Sequence, residues 1–196
     1  MGPPGRPKGE YRRATPEGFL MPPLPELRVR TLAEADLEAY KALRDHALAH
    51  HEEAFTSDAA TEAERTAQSY RARLGRDASG RSGYTLGAWR GDRLVGAITC
   101  ERDPRSKVRH IGHIVGTMVL GDQQGQGVGR ALLDALIARG SADDELHQLT
   151  LSVTASNRAA LRLYESAGFT RYGTLPRAIR VAGRFLDKDL MLLNLR

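Results

Sequence analysis

The sequence has a single cysteine, Cys100, and no long uninterrupted apolar run. One cysteine excludes an internal disulfide framework and any metal site built from several cysteines, and it suits a reducing compartment. No stretch approaches the roughly 20 apolar residues that a membrane-spanning helix needs, and the N-terminus lacks the apolar segment of a secretory signal. We therefore expect a soluble, cytoplasmic protein that has no membrane partner.

The length and the charge of the chain fit one domain of ordinary size. A chain of 196 residues can bury a substantial core. Its formal net charge of +5 favours anionic ligands in general but does not distinguish a nucleotide cofactor from a nucleic acid. Residues 1–25 hold seven of the nine prolines, which predicts an extended or disordered basic tail before a single domain at 26–196. Because this tail contains no recognised nucleic-acid-binding motif, we expect no nucleic-acid partner.

Hydrophobic periodicity predicts a fold of the α/β or α+β class. The predicted strands cover 27–32, 84–89, 94–100, 108–120, 148–154, 169–173 and 184–195. The predicted helices cover about 33–50, 59–74, 129–139 and 157–167, with loops at 75–83 and 174–183. A run of antiparallel strands followed by a strand–helix–strand–helix–strand order indicates a mixed sheet with helices on its faces.

One stretch, from Ile114 to Leu136, indicates an anion-binding site. An apolar, β-prone run ends in the sequence GDQQGQGVG, and a helical pattern follows. The three glycines between 125 and 129 allow left-handed or crowded backbone, so successive N–H groups can face one ligand while the helix adds its positive end. This arrangement predicts a phosphate-bearing cofactor. Gly112 and Gly116, on the strand that leads into the loop, indicate a bulge or a closely approaching ligand.

Two common glycine-rich phosphate motifs do not fit this loop. A Walker loop needs Gly-Lys followed by Ser or Thr at the start of the helix, and here Gly129 is followed by Arg130 and Ala131. The dinucleotide fingerprint needs a third glycine three residues after its second, and the two positions that satisfy this count are occupied by Arg130 and Leu132. Neither Walker-type nucleotide hydrolysis nor a Rossmann dinucleotide site is therefore predicted.

Two motifs together resemble the GNAT superfamily of acyl-CoA-dependent N-acetyltransferases. The first, Gln124–Gly129, has the form Gln/Arg-x-x-Gly-x-Gly between a strand and a helix, and the second is NRAALRLYESAGF at 157–169. With the elements around them, they cover about 27–195. The resemblance implies a mixed, mostly antiparallel sheet of about seven strands flanked by about four helices, and acetyl-CoA as a cosubstrate without a metal.

The resemblance assigns the cofactor contacts to two neighbouring segments. The loop is expected to bind the coenzyme A pyrophosphate through seven consecutive residues, Gln124, Gly125, Gln126, Gly127, Val128, Gly129 and Arg130. The end of the preceding strand is expected to pair with the pantetheine arm through the backbone of Met118, Val119 and Leu120. The developing oxyanion would be met by the N–H of Val119 or Leu120.

Asn157 and Tyr164 are seven residues apart and project from nearly one face of their predicted helix. The resemblance places Asn157 against the pantetheine or ribose side of the cofactor and makes Tyr164 the acid that protonates the departing thiolate. On residue type alone, Asn157 fits a plain N-cap equally well, and Tyr164 fits a packed core aromatic.

The reaction implied is direct attack of a neutral primary amine on the acetyl thioester, and the general base for it is open. Family members often place a glutamate on the fourth strand, where this chain has His110 and His113. These two histidines have opposite parity, so a regular strand aims at most one of them at a cleft. Glu101, at the end of the third strand, is the carboxylate alternative, and a surface role is open for all three. A nucleophilic Cys100 is disfavoured because a strand cysteine is usually a small buried hydrophobe.

The acceptor cannot be read from the residues. The resemblance implies a small-molecule amine or a peptide N-terminus, bound by the helices at about 33–74 and the loop at 174–183, with a homodimer left open. A cluster of His46, His50 and His51 is interpreted as a polar helix end near the substrate entrance. The rival hypothesis is a GNAT-like domain that binds acyl-CoA as a sensor or scaffold without turnover.

Overall fold

The computed structural model describes residues 25–74 and 83–196. Except for Pro25 and Gly83, the tail predicted at 1–25 and the loop predicted at 75–83 lie outside the described residues. The strands are β1 (Leu27–Thr31), β2 (Gly83–Arg90), β3 (Arg93–Arg102), β4 (Ile111–Val119), β5 (Gln148–Thr154), β6 (Thr170–Val181) and β7 (Arg184–Asn194). The α-helices are α1 (Leu37–His50), α2 (Ala59–Ala63), α3 (Arg71–Leu74), α4 (Val128–Ser141) and α5 (Arg158–Ser166). No helix within the described ranges is long and apolar enough to cross a membrane.

The seven strands form one sheet in the order β1-β2-β3-β4-β5-β7-β6. All neighbours are antiparallel except β4 and β5, which confirms the mixed, mostly antiparallel sheet. The parallel pair joins Ile111–Ile114 to Gln148–Leu151 and extends no further. Because β4 continues to Val119 and β5 to Thr154, the two strands part at their carboxyl ends and leave a gap in the sheet.

Helices cover both faces of the sheet, and strand alternation tells which residues face which helices. A Cβ on Gly96 of β3 would lie 2.9 Å from a Val128 methyl on α4, and three fully buried α4 leucines, Leu132, Leu133 and Leu136, are part of the core. Glu101, of opposite parity on β3, accepts a hydrogen bond from Arg73 of α3. We call the two sides the α4 face and the α1 face. Helix α5 lies on the α4 face, since a Cβ on Gly129 would approach Leu163 at 3.3 Å.

Glycine is required at two positions of β4 for different structural reasons. Gly116 has φ of +60° and sits where the β3–β4 register shifts, so that Ile98 faces two residues of β4. This confirms the predicted bulge, and left-handed backbone at that point favours glycine. At Gly112 the constraint is close packing in the core, because a Cβ there would lie 2.8 Å from the Cys100 sulfur. Burial raises the pKa of the Cys100 thiol to about 12, which excludes a reactive thiolate near neutral pH.

The single helix predicted over 59–74 is wrong. The segment forms α2, the 3₁₀ turn Ala67–Tyr70 and α3, with extended backbone at Thr66 between them. The reason is the buried carboxylate of Glu62, which accepts hydrogen bonds from Tyr70 at 2.6 Å and from Arg44 at 2.7 Å. In a continuous helix, residues 62 and 70 would stand about 12 Å apart along the axis. The break folds Tyr70 back onto Glu62.

The loop predicted over 174–183 is also wrong, because these residues belong to a β6–β7 hairpin that turns at Ala182 and Gly183. Pro176 caused the error, since proline interrupts a ladder in the middle of a sheet. Here it lies on the edge strand, inside a register shift between Leu175 and Ile179. Edge strands and bulges are the places where a sheet tolerates proline.

The Glu62 cluster yields a stability prediction. Burial opposes ionisation of Glu62, but hydrogen bonds from Tyr70 and Arg44 outweigh it and lower the pKa of this carboxyl to about 2. Because this pKa is lower in the folded state than in the unfolded state, the ionised carboxylate stabilises the fold at pH values above the ordinary pKa of 4.5. This stabilisation is lost as the pH falls towards 2. We expect Glu62→Gln to lower the free energy of unfolding by about 3 kcal/mol at pH 7, because Arg44 keeps a buried charge without its partner.

Denaturant unfolding from pH 7 to pH 3 measures this effect. The wild type should lose part of its advantage over Glu62→Gln as the pH falls below 4.5. Glu34→Gln is the matched control, since Glu34 pairs with Arg71 at an exposed position and exposed pairs contribute little. Equal losses for the two variants at pH 7 would contradict the buried-pair explanation.

Candidate active site

A cleft of about 650 Å³ occupies the gap between β4 and β5. Its walls are the carboxyl ends of both strands, the glycine loop, one side of α5 and the segment that follows α1. Within the described residues, the lysines and arginines that line it are Arg130, Arg162 and Lys188, and no aspartate or glutamate lines it. An opening lined by cations of this kind favours anionic ligands.

The glycine loop presents backbone donors to the cleft. Gly125 and Gly127 have φ of +74° and +79°, and a Cβ on either would meet nothing within 4 Å. Gly127 is the N-cap of α4 and offers no side-chain cap, and the first turn of the helix contains no acidic residue. The first three N–H groups of α4, from Val128 to Arg130, therefore have no helical acceptor. Unpaired N–H groups of this kind favour an anion, and anion binding by this loop stays a prediction.

The three glutamines around the loop hold it in place through their side chains. Gln123 accepts a hydrogen bond from Arg90 at 2.9 Å, and Gln126 donates to the carbonyl of Asp122 at 2.8 Å. The amide nitrogen of Gln124 lies 3.1 Å from Nε2 of His51, at the end of α1. These side-chain bonds fix the loop at the edge of the cleft. Arg130 stands at the rim, where its Nε donates to Asp134 at 2.8 Å.

The end of β4 offers one strand edge to the gap. The N–H of Leu120 donates to the carbonyl of Val95 on β3 at 2.9 Å. Bonded and non-bonded pairs alternate in an antiparallel ladder, so Met118 also bonds towards β3, while the N–H and C=O of Val119 point into the gap. Val119, not Leu120, is therefore the donor available to an oxyanion. The prediction that included Leu120 is corrected on this point, since its N–H already has a protein acceptor.

Asn157 and Tyr164 both line the cleft, as expected from their spacing. The Asn157 Oδ1 accepts the N–H of Ala160 at 3.1 Å, so the N-cap role and the cleft position coexist. Tyr164 is buried, with its ring packed edge-on against Phe169. Burial raises the pKa of the Tyr164 phenol, and a hydrogen bond with the Thr117 side chain acts in the opposite direction. The net rise keeps this hydroxyl protonated near neutral pH, as a proton donor requires.

Glu101 and His113 lie directly opposite each other on β3 and β4, and neither is among the residues that line the cleft. His113 is exposed, with its Nδ1 2.6 Å from the Thr150 hydroxyl. Glu101 pairs with Arg73 at 3.0 Å and borders a second cavity of about 400 Å³. His110 precedes β4 altogether. A role as general base stays a prediction for Glu101 and His113.

Of the three clustered histidines, His46 and His50 belong to the last turns of α1, and His51 follows the helix. His46 and His50 stack at a centroid distance of 4.1 Å, and His51 lines the cleft beside the glycine loop. Residues 25–74 and 83–196 contain no group of three or more His, Cys, Asp or Glu side chains placed to hold a metal ion.

Thr117 and Lys188 are two of the cleft residues that the sequence did not identify. Thr117, beside the Tyr164 hydroxyl, carries no signal of its own in an apolar strand. Lys188 of β7 lines the cleft and is only 8% exposed. The sequence does contain a sign of this lysine's position, because Lys188 projects from the same face of its strand as Leu186, Leu190 and Leu192. A lysine in a row of leucines indicates either a bulge or a buried cation.

Known proteins match this chain both in sequence and in fold. An L-methionine sulfoximine/L-methionine sulfone acetyltransferase from Pseudomonas aeruginosa is 39% identical over 74 residues, which are 38% of this chain and 42% of that protein. The chain therefore spans less than half the length of that relative. An acetyltransferase of the GNAT family from Streptococcus pneumoniae superposes with a TM-score of 0.79 at 26% identity, over 86% of this chain and 99% of that one.

A third match is an acetyltransferase structure from Salmonella typhimurium with its cofactor acetyl-CoA, which has a TM-score of 0.70 and 25% identity over 87% of this chain and 95% of that one. The model of the Acetyltransferase (GNAT) family matches residues 40–169. That range is well over half of the 196 residues, and it contains the parting of β4 and β5, the glycine loop and α5. The chain belongs to the GNAT acetyltransferase family.

Proposed function

We propose that the protein transfers an acetyl group from acetyl-CoA to a primary amine of a small molecule or a protein N-terminus. The observation that carries the proposal is the gap between β4 and β5, with an anion-binding helix terminus at its rim and a buried tyrosine in its wall. Its relatives support this chemistry, since one acetylates L-methionine sulfoximine by name and another has acetyl-CoA as its cofactor.

The residues of the cleft suit coenzyme A in three places. The N–H groups at the start of α4 and the left-handed backbone at Gly125 and Gly127 suit a pyrophosphate. The free edge of β4 at Val119 suits the amide groups of a pantetheine arm, which can pair with it as a strand would. Asn157, which lines the cleft at the start of α5, would contact the same arm with its side-chain nitrogen. Coenzyme A supplies the activated acetyl group as a thioester.

Two groups of the chain would act on the reacting atoms. The N–H of Val119 would donate to the thioester oxygen as negative charge develops on it, in a site where a fixed donor costs no reorganisation. The hydroxyl of Tyr164 would return a proton to the leaving sulfur. The Val119 N–H lies in the plane of the sheet and points into the gap, while Tyr164 stands on the α4 face, beside the side chains of Val119 and Thr117. The amine would approach through the gap from the α1 face.

The amine must lose a proton before it attacks, and Glu101 and His113 are the predicted bases. Both project to the α1 face, beside the cleft and not in its wall. Either would have to act through water. An α-amino group, with an ordinary pKa of about 7.7–8.0, needs far less help than a lysine-like amine at about 10.4. We therefore favour α-amino acceptors.

Thiol release from acetyl-CoA tests the proposal. We expect release with at least one member of a panel of amino acids, polyamines, aminoglycosides and peptides, and an acetylated product of matching mass. Tight binding of coenzyme A without release from any acceptor would instead support the non-catalytic sensor. Absence of both binding and release would refute both functions.

Gly127→Glu should weaken acetyl-CoA binding by about 100-fold or more. A side chain at φ of +79° costs about 1–2 kcal/mol, and the new carboxylate would repel a phosphate at the helix terminus. Isothermal calorimetry measures the affinity, and the melting temperature checks the fold.

Gly183→Glu is the matched control. Gly183 has φ of +80° in open space at the β6–β7 turn, so it reproduces the strain without the cleft. Acetyl-CoA affinity that is unchanged in Gly127→Glu, or equally reduced in Gly183→Glu, would argue against the loop as the pyrophosphate site.

Tyr164→Phe should lower kcat by about 100-fold while changing KM for acetyl-CoA little, as expected for a lost general acid. Tyr84→Phe is the control, because the Tyr84 hydroxyl is equally buried and donates to the carbonyl of Leu136, away from the cleft. It should reduce stability by about 1 kcal/mol and leave kcat unchanged. Full turnover in Tyr164→Phe would remove Tyr164 from the acid role.

A further inference from the structure

Lys188 enters the cleft from the α1 face, the side opposite to Tyr164. On β5, the hydroxyl of Thr154 donates to the carbonyl of Glu53 at 2.6 Å, which places Thr154 on the α1 face. Lys188 is the direct partner of Thr154 across the β5–β7 ladder, and directly opposite residues project from the same face. The lysine thus shares the α1-face opening of the cleft with Phe55, Thr56 and Ser152.

The ammonium group of Lys188 has no anionic partner within the described residues. Its side chain is 8% exposed, and burial lowers its pKa with no opposing charge. The acidic residues on either side of Lys188 in the chain, and Glu53 beside Thr154, have other partners. Glu53 pairs with Arg184 at 2.8 Å, Asp187 accepts the N–H of Arg177 at 2.8 Å, and Asp189 accepts the Thr174 hydroxyl at 2.7 Å.

The Lys188 residue is 8% exposed and its Nζ keeps some contact with the solvent of the cleft, so the charge is partly desolvated without a charged partner, which costs stability. Such a group is retained where a ligand brings the missing charge. The phosphates of coenzyme A are expected at the glycine loop, where Arg130 and Arg162 also line the cleft. Lys188 lies across the gap from Tyr164 and Val119, on the side from which the amine would approach. The anionic group that would pair with Lys188 is therefore expected to be part of the acceptor.

We propose that Lys188 binds a carboxylate of the acceptor, so that the preferred acceptor carries an acid group beside its amine, as an amino acid does. This inference rests on the proposed function. Pairing with Lys188 would hold the carboxylate at β7 and turn the amine towards the gap between β4 and β5. An acceptor without the acid group would leave the cation unpaired and would lose this orientation.

The test combines two protein variants with two forms of each acceptor. L-Methionine sulfone, L-leucine and L-phenylalanine are compared with their carboxamides, which keep the amine and lose the charge. Lys188→Met removes the cation and keeps most of the length and apolar volume. We expect it to lower kcat/KM for the acids by about 10- to 100-fold relative to the amides, the range of a charge-assisted hydrogen bond. The different amine pKa values of acid and amide cancel in this ratio of ratios.

Three further measurements separate this role from a structural one. Lys188→Arg should restore part of the preference for acids. Lys107→Met, at an exposed position after β3, should leave the preference unchanged. The melting temperature of Lys188→Met without ligand should equal or exceed that of the wild type, because the substitution removes a partly desolvated charge that has no charged partner.

Binding of acid and amide to the coenzyme A-loaded protein, measured by calorimetry, keeps the inference independent of turnover. Tighter binding of acids that Lys188→Met abolishes would support it even if no acetyl transfer occurs, in which case the proposed function alone fails. Equal effects of Lys188→Met on acids and amides would overturn it. So would a loss confined to the affinity for acetyl-CoA, which would assign the cation to the cofactor.

Discussion

The parting of β4 from β5 is the constraint on which the rest of the site depends. Four residue pairs hold the two strands together, and beyond Ile114 and Leu151 the ladder stops. Backbone polar groups inside a sheet are normally paired, so a strand that leaves its neighbour exposes one edge. The antiparallel ladder with β3 fixes which groups these are, because Leu120 bonds to Val95 and Val119 does not. The gap therefore presents a defined donor and a defined acceptor to whatever fills it.

The bulge at Gly116 determines how the two faces of the gap differ. It shifts the β3–β4 register so that Thr117 and Val119 project to the α4 face, where α5 places Tyr164. On the α1 face, the position that a Gly116 side chain would take is about 4 Å from the Tyr40 hydroxyl and from Arg73. A left-handed glycine thus keeps that side open, while the opposite side carries the groups that would act on the thioester. Without the extra residue of this bulge, Thr117 and Val119 would project to the α1 face instead.

The sequence predicted the local features well because each had a local cause. The glycine loop, the Asn157 cap and the placement of Tyr164 depend on residues within one turn of a helix or one strand end. The failures at 59–74 and 174–183 came from interactions outside the segment. The carboxylate of Glu62 gathers Arg44 and Tyr70 and breaks a helix that propensity alone would continue. Pro176 is tolerated because β6 is the edge of the sheet, and an edge is a property of the whole topology.

The cleft contains several polar groups that lack a hydrogen-bonding or charged partner. The first N–H groups of α4, the edge of β4 at Val119 and the ammonium of Lys188 each have no protein partner within the described residues. On the functions proposed above, the missing partners would be an anion, a strand-like amide and a carboxylate. Stability is supplied elsewhere, by the α4 leucines and by the Arg44–Glu62 pair. Because an unpaired group favours a ligand that satisfies it, the proposed pyrophosphate, amide-bearing arm and acidic acceptor would each supply one of these missing partners along the same gap.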